Sequence, residues 1–429
     1  MKMLEPDRTK RPEIFQPVPV DLPHLRNVTL DNGVPLRIYD RPDMEMVGIT
    51  VSNLGGVAEA INPQSAIIAA EMRSYGSKNK TGEQIADALE LNGAFLKSYS
   101  TAHHTSSTIL TISDKVRSVI PIAAEAIMNS IFPERETEII AARKAEECEI
   151  AQTTEMFKVS ARSIELLSGE NHPLAHTPVS SDFMAVNRND ILSFYKTTQR
   201  PANQTIHAYG RITPAIEDEI NRAFGSIKDR EPILNLNVVP FTPAKADFYE
   251  HIKVENSVQT ALDVSIPTIS RSHPDYLALR LAVMALGGYF GSRLQQNIRE
   301  EKGLTYGISA ALLGRQEGAA ISVRTSCNTE FLNKVREEIF LEMRKLSTQP
   351  MSDEEINRLK LAEIGSLMDI TDSPESIIGF HRTIYTESLP EDYFGQRIAA
   401  VNSIDAETIM RVSAAYILPE KAITVSAGL

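Results

Sequence analysis

The chain repeats itself, and the repeat limits what it can fold into more than any single motif does. Ala185-Val186-Asn187 recurs as Ala400-Val401-Asn402, and after each a helix-forming stretch runs on to a proline, Pro201 or Pro419. Nine residues beyond each proline, across an apolar run, stands a glycine, Gly210 or Gly428. Upstream, Asn92-Gly93 corresponds to Lys302-Gly303, and EIIAARKAEE from Glu138 to EEINRLKLAE from Glu354. The offset grows from 210 at Gly93 to 218 at Gly210, as loop insertions would make it. At 429 residues the chain also exceeds one ordinary core, so two copies of a single unit are expected.

Within one unit, strand and helix signals alternate. Apolar residues on both sides of Asp31-Asn32-Gly33 mark a hairpin, and Val47 to Leu54 reads as a further strand. Ala66 to Met72 is apolar enough for a buried helix. Thr81 and Gln84 form a capping box that opens a second helix, stopped at Asn92-Gly93. Phe95 to Tyr99 and Thr108 to Ile112 read as paired strands, Val116 to Ile131 as an amphipathic helix, and Glu134 to about Leu167 as one long helix. This mixture predicts an α+β fold, helices packed on antiparallel-rich sheets. The expected division is an extended proline-bearing arm over residues 1–24, a first domain over 25–227, a linker over 228–245 and a second domain over 246–429.

Bulk properties exclude several classes of function. The net charge of -12 argues against nucleic-acid binding and against an anionic membrane surface. The apolar run LALRLAVMAL is interrupted by Arg280, so no membrane span is expected. The first residues, MKMLEPDRTKRPEIF, lack the apolar core of a secretory signal, which leads to an expectation of a cytoplasmic protein. Cys148 and Cys327 are too few for a disulfide framework and are expected to be free and buried.

The best site candidate is LGGYFGSRLQQNIREEKGLTY, residues 286–306. Gly287, Gly288 and Gly291 allow tight turning or close backbone approach, a helical period follows through Ile298, and Gly303 is placed to end that helix. The segment resembles the C-terminal half of pitrilysin/insulinase-type metallopeptidases. The resemblance rests on Ser292-Arg293-Leu294, on Arg299-Glu300-Glu301 and on the seven-residue spacing from Arg299 to Tyr306. It implies two homologous α/β-roll halves facing each other like a clam shell. It also implies that Arg299 and Tyr306 reach the main chain of a peptide held at a zinc ion.

The same resemblance places a zinc motif, H-x-x-E-H, on the first long helix. Spacing i and i+4 sets both imidazoles on one helical face, with the glutamate base beside the metal-bound water. Counting back from Gly76-Ser77 puts these roles at Ile67, Ala70 and Glu71. Neither Ile67 nor Ala70 has a donor atom, and the family's third ligand falls near Glu147 or Glu149, where an Ala/Glu-rich helix predicts a solvated face. Two other histidine pairs are weak candidates. His103-His104 stand between strands, where a surface role is expected, and Pro173 denies His172 and His176 a regular helix.

The resemblance therefore implies a non-catalytic subunit with no metal or other cofactor of its own, whose zinc is carried by a partner chain. Expected partners are a zinc-bearing pitrilysin-type subunit, or a second copy of this chain, and unfolded peptides bound by strand addition along Gly307 to Leu313 or Phe95 to Tyr99. The alternative is a structural or assembly protein of the same fold with no part in proteolysis. Hydrolysis by a metal site of its own is disfavoured by Ile67 and Ala70.

Overall fold

The structure, a computed structural model, describes Thr9, residues 21–228 and residues 232–429. Most of the expected N-terminal arm thus lies outside the described residues. The first sheet holds β1 (Arg26–Thr29), β2 (Pro35–Asp40), β3 (Met46–Leu54), β4 (Phe95–Ser100), β5 (His104–Ile112) and β6 (Gln204–Gly210) in the order β1-β2-β6-β3-β5-β4. The second holds β7 (Phe248–Lys253), β8 (Thr260–Thr268), β9 (Thr305–Gly314), β10 (Ala319–Cys327) and β11 (Ile423–Gly428) in the order β7-β11-β8-β10-β9. With β1 set aside, the two orders are the same. In each sheet the last strand pairs parallel with the first of its set, β6 with β2 and β11 with β7, and every other pairing is antiparallel. The internal repeat is thus present in the connectivity, and the fold is mixed α/β with two sheets covered by helices.

The first half carries α1 (Pro63–Glu71), α2 (Gly82–Glu90), α3 (Val116–Met128), α4 (Glu134–Gln152), α5 (Glu155–Ser168), α6 (Ser180–Met184), α7 (Arg188–Thr198) and α8 (Pro214–Ile220). The second carries α9 (Tyr276–Val283), α10 (Leu332–Thr348), α11 (Asp353–Asp372), α12 (Pro374–Thr386), α13 (Tyr393–Ser403) and α14 (Ala406–Tyr416). Alternation along the strands sorts each sheet into two faces. On the first sheet, Leu36, Ile38, Ile49, Val51, Ile109 and Ile206 are buried against Ile85 of α2, Val119 and Ile120 of α3 and Ile220 of α8. Each such fully buried aliphatic side chain contributes roughly 2 kcal/mol. Across the opposite face runs a polar row in register, Arg37, His207, Thr50, Thr108 and Lys97.

The Asp31-Asn32-Gly33 turn forms, with Gly33 at φ 90°, a conformation that favours glycine. The capping box of α2 is closed in both directions between Thr81 and Gln84. One expected element is divided. The long helix from Glu134 breaks at Thr153-Thr154, where the Thr154 hydroxyl accepts the backbone N–H of Phe157 at 3.3 Å and caps α5. The break lets α5 leave its own half and lie across the second sheet. There Val159, Leu166 and Leu167 are buried with Ala261, Ala320, Ile423, Val425 and Ala427. Residues 232–245, with no regular structure, follow this seam: Thr242 N–H donates to Ser168 O at 2.9 Å and Ala244 N–H to Leu166 O at 2.7 Å.

Candidate functional site

The stretch from Met284 to Tyr306 is built against β9, the outer strand of the second sheet. Gly287 sits so close to it that a Cβ there would lie 2.6 Å from the Ala310 nitrogen, so the turn tolerates no side chain at this point. The following segment, Gln295–Glu301, is wound as a π-helix and fixed on three sides. Leu294 and Ile298 are fully buried, the Asn297 amide donates to Glu338 at 3.1 Å and to Glu342 at 2.7 Å, and the Gln295 amide donates to Ile308 O at 2.5 Å. Burial works against the charge of Glu338, yet Lys302, Lys334 and Asn297 together hold its carboxyl below the usual range. Gly303, at φ 60°, ends the helix as its sequence position predicts.

On this anchored segment the two candidate side chains face outward. Tyr306 is 90% exposed at the start of β9. Arg299 is part-exposed, lies 5.0 Å above the ring of Phe290 and reaches Glu300 only at 3.6 Å. The anchored segment thus presents a guanidinium and a phenol to solvent.

The positions where the resemblance places a zinc motif lie on α1, which packs against β4, the outer strand of the first sheet. Ala70 is buried, and Ile67 is partly buried against the apolar cluster of Ala66, Ile68, Ala69 and Met72. Glu71 ends α1 and meets α4 in a closed square of charges. It pairs with Arg143 and, at 3.1 Å, with Lys144, while Glu147 pairs with Arg143 at 2.6 Å and with Lys144 at 2.9 Å. Lys144, followed by Arg143, lowers the Glu147 carboxyl below its ordinary value. Glu147 lies on a solvated face, as expected, and there takes part in a four-membered ion cluster. Glu149 accepts the Ser180 hydroxyl at 2.7 Å. Among the described residues no group of three or more His, Cys, Asp or Glu is placed to hold a metal ion.

The histidine pair corrects the sequence reading most. His103 and His104 are not on the surface; both are over nine-tenths buried. His103 Nδ1 meets Glu59 at 2.6 Å, and Nε2 meets Glu317, which stands in the turn between β9 and β10. Burial opposes protonation of His103, but the hydrogen bonds to Glu317 and Glu59 outweigh it and raise the ring to about 9. At neutral pH it is a buried cation between two carboxylates, one from each half. His172 donates through Nε2 to Val239 O at 2.7 Å and His176 pairs with Asp182 at 2.6 Å, so neither belongs to a site. Both cysteines are free and buried.

Residues 185–363 match the family model described as the peptidase M16 inactive domain. Among curated proteins, the chain is 20% identical over 380 residues to the uncharacterized zinc protease YmxG of Bacillus subtilis strain 168, covering 84% of this chain and 90% of that one. Among solved structures, it superposes on the peptidase M16 inactive domain from Pseudomonas fluorescens with a TM-score of 0.83 at 20% identity, over 94% of this chain and 98% of that one. A protease from Helicobacter pylori gives a TM-score of 0.83 at 17% identity, over 95% of this chain and 100% of that one.

Residues 185–363 are thus similar to an M16 peptidase domain, and the chain has the fold of M16 proteins. The positions where the resemblance places a zinc motif do not fit a zinc ion. Ile67 and Ala70 offer no donor, and the two carboxylates that remain, Glu71 and Glu147, are already neutralised by Arg143 and Lys144. None of the chain's helices, among the described residues, is long and apolar enough to cross a membrane. Sequence reasoning missed the pairing of His103 because Glu59 and Glu317 lie 44 and 214 residues away. The only local signal was that two adjacent histidines in a strand junction cannot both face water.

Proposed function

We propose that this chain is the non-catalytic subunit of a two-chain zinc peptidase acting on unfolded peptides. Arg299 and Tyr306 would bind the peptide main chain and its developing oxyanion in trans, beside a zinc ion held by a partner chain with an intact H-x-x-E-H motif. The observation that carries this reading is the contrast within one molecule. Arg299 and Tyr306 stand outward on an immobilised segment, while the Ile67, Ala70 and Glu71 positions are apolar or consumed by cations.

What this chain contributes is binding and orientation. A guanidinium presents fixed donors to carbonyl oxygens, and a tyrosine hydroxyl donates to an oxyanion, but neither generates hydroxide at neutral pH. The outer strands β4 and β9 each have one side unpaired among the described residues, which supports capture of extended peptide by strand addition.

The test is peptide hydrolysis by the purified chain alone, by an H-x-x-E-H partner alone and by their mixture. Cleavage is expected only in the mixture, or at least tenfold faster there, and Arg299→Ala with Tyr306→Phe should reduce it by about two orders of magnitude without dissociating the pair. A mixture no faster than the partner alone would favour a purely structural role.

A further inference from the structure

Between the two halves, beneath α12, lies a cavity of about 570 Å3 that the peptide-contacting pair does not reach. Tyr99, His104 and Ser106 line it from the first sheet, Arg315 from the turn after β9, and Arg382 and Glu387 from α12 and its end. Its lining carries Arg315 and Arg382 beside Glu317 and Glu387. The Arg382 guanidinium donates only to neutral hydroxyls, Tyr99 Oη at 2.8 Å and Ser106 Oγ at 2.7 Å, and its Nε has no partner among the described residues. Arg315 stands exposed at the rim, within electrostatic reach of Glu317 but in none of the described ion pairs. The nearby acids are engaged elsewhere: Glu317 with His103, and Glu387 with Arg271 at 3.9 Å.

A second observation points to a guest. His104 is 8% exposed, it lines the cavity, and its Nε2 is buried without a partner among the described residues. A buried polar group left in that state costs roughly 1–3 kcal/mol unless something binds to it. Two guanidiniums with unused donors and an imidazole N–H match a carboxylate. Both outer strands also run out here: Tyr99 is next to the last residue of β4, and Arg315 directly follows β9.

We infer that this cavity receives the C-terminal carboxylate of a peptide laid along one of these strands, held by Arg315, Arg382 and His104. The inference rests on the peptide-binding reading above and adds an end-specific anchor to it. A cavity of this size takes the last one or two residues of a chain.

The experiment is fluorescence anisotropy on the full chain with an unstructured ten-residue peptide in two forms, free acid and C-terminal amide. A third, amidated peptide carries aspartate as its last residue. The free acid is expected to bind about ten- to a hundredfold more tightly than the plain amide. Arg315→Gln, at the rim where folding is unaffected, should remove most of that difference, and Arg382→Gln should do the same. If the aspartyl amide binds as tightly as the free acid, the site takes any terminal-residue carboxylate and the end-specific inference is overturned. Equal affinity for all three peptides overturns the pocket while leaving peptide binding in place. Absence of binding by every peptide would overturn both readings together.

Discussion

Two helices cross from one half of the molecule to the other, and they do so in opposite chemical styles. α5 lies on the second sheet through aliphatic contacts, with Val159, Leu166 and Leu167 against Ile423, Val425 and Ala427. α12 lies on the first sheet through polar ones: Arg382 on Tyr99 and Ser106, Tyr385 beneath Arg37 at 5.1 Å, and His381 on Pro23 O at 2.8 Å. The sheet residue between them, His207, is fully buried with both ring nitrogens unpartnered among the described residues. An apolar seam needs no water and no partner to be satisfied. A polar seam is stable only where every group is paired, so it is the one that leaves a cavity and can respond to pH.

The comparison breaks first at the apolar seam. Val159→Asp would bury an unpaired carboxylate and is expected to cost about 4 kcal/mol or more, read as loss of the cooperative thermal transition. Glu317→Ala comes next. Removing one of the two carboxylates around His103 should cost roughly 2 kcal/mol near pH 7, measured by denaturant unfolding.

That second effect has a pH signature. His103 is raised to about 9, so its contribution is complete below its unfolded value near 6.5 and is lost as pH climbs through 9. Burial, followed by the positive charge of neighbouring Arg382 and Arg37, pushes His207 down to about 3, and burial together with His103 pushes His104 to about 4. These two are neutral in the folded state. The unfolded chain takes their protons first, so stability falls as pH drops from 6.5 towards 4. The melting temperature is expected to peak near pH 6.5, where the acid and alkaline declines meet. In Glu317→Ala the alkaline decline should flatten while the acid limb stays.

Smaller effects sharpen the contrast. Arg382→Gln keeps the length of the side chain but removes its charge, and is expected to cost about 1 kcal/mol, well below any charge placed in the apolar seam. The double change Arg143→Ala with Lys144→Ala removes an exposed ion cluster and should shift stability by no more than about 1 kcal/mol. Zinc titration of that variant should still show no stoichiometric site, because Ile67 and Ala70 contribute no ligand.

Much of this architecture was legible in the residues themselves. The repeated Ala-Val-Asn, the matched prolines and the matched glycines describe a duplicated unit, and the two sheets share one strand order. Local devices were equally readable, since the Gly33 turn, the Thr81–Gln84 box and the Gly303 stop depend only on neighbours within a few residues. The break at Thr153-Thr154 was hidden by the strong helical composition on both sides. A threonine followed by Glu155 carries a weak cap signal that an Ala/Glu-rich stretch overrides. The charged square at α1 and α4 and the His103 pairing depend on residues brought together by tertiary packing. No spacing rule connects Glu71 to Arg143, or His103 to Glu317.

The proposed division of labour has this chain supply binding groups to a metal held by a partner. Titration of the purified chain into a fixed amount of an H-x-x-E-H partner, with hydrolysis of an unfolded peptide as the readout, tests it most directly. A rise that saturates at one chain per partner is expected, with zinc remaining on the partner alone. Stoichiometric zinc on the isolated chain, with peptide cleavage that needs no companion, would contradict it.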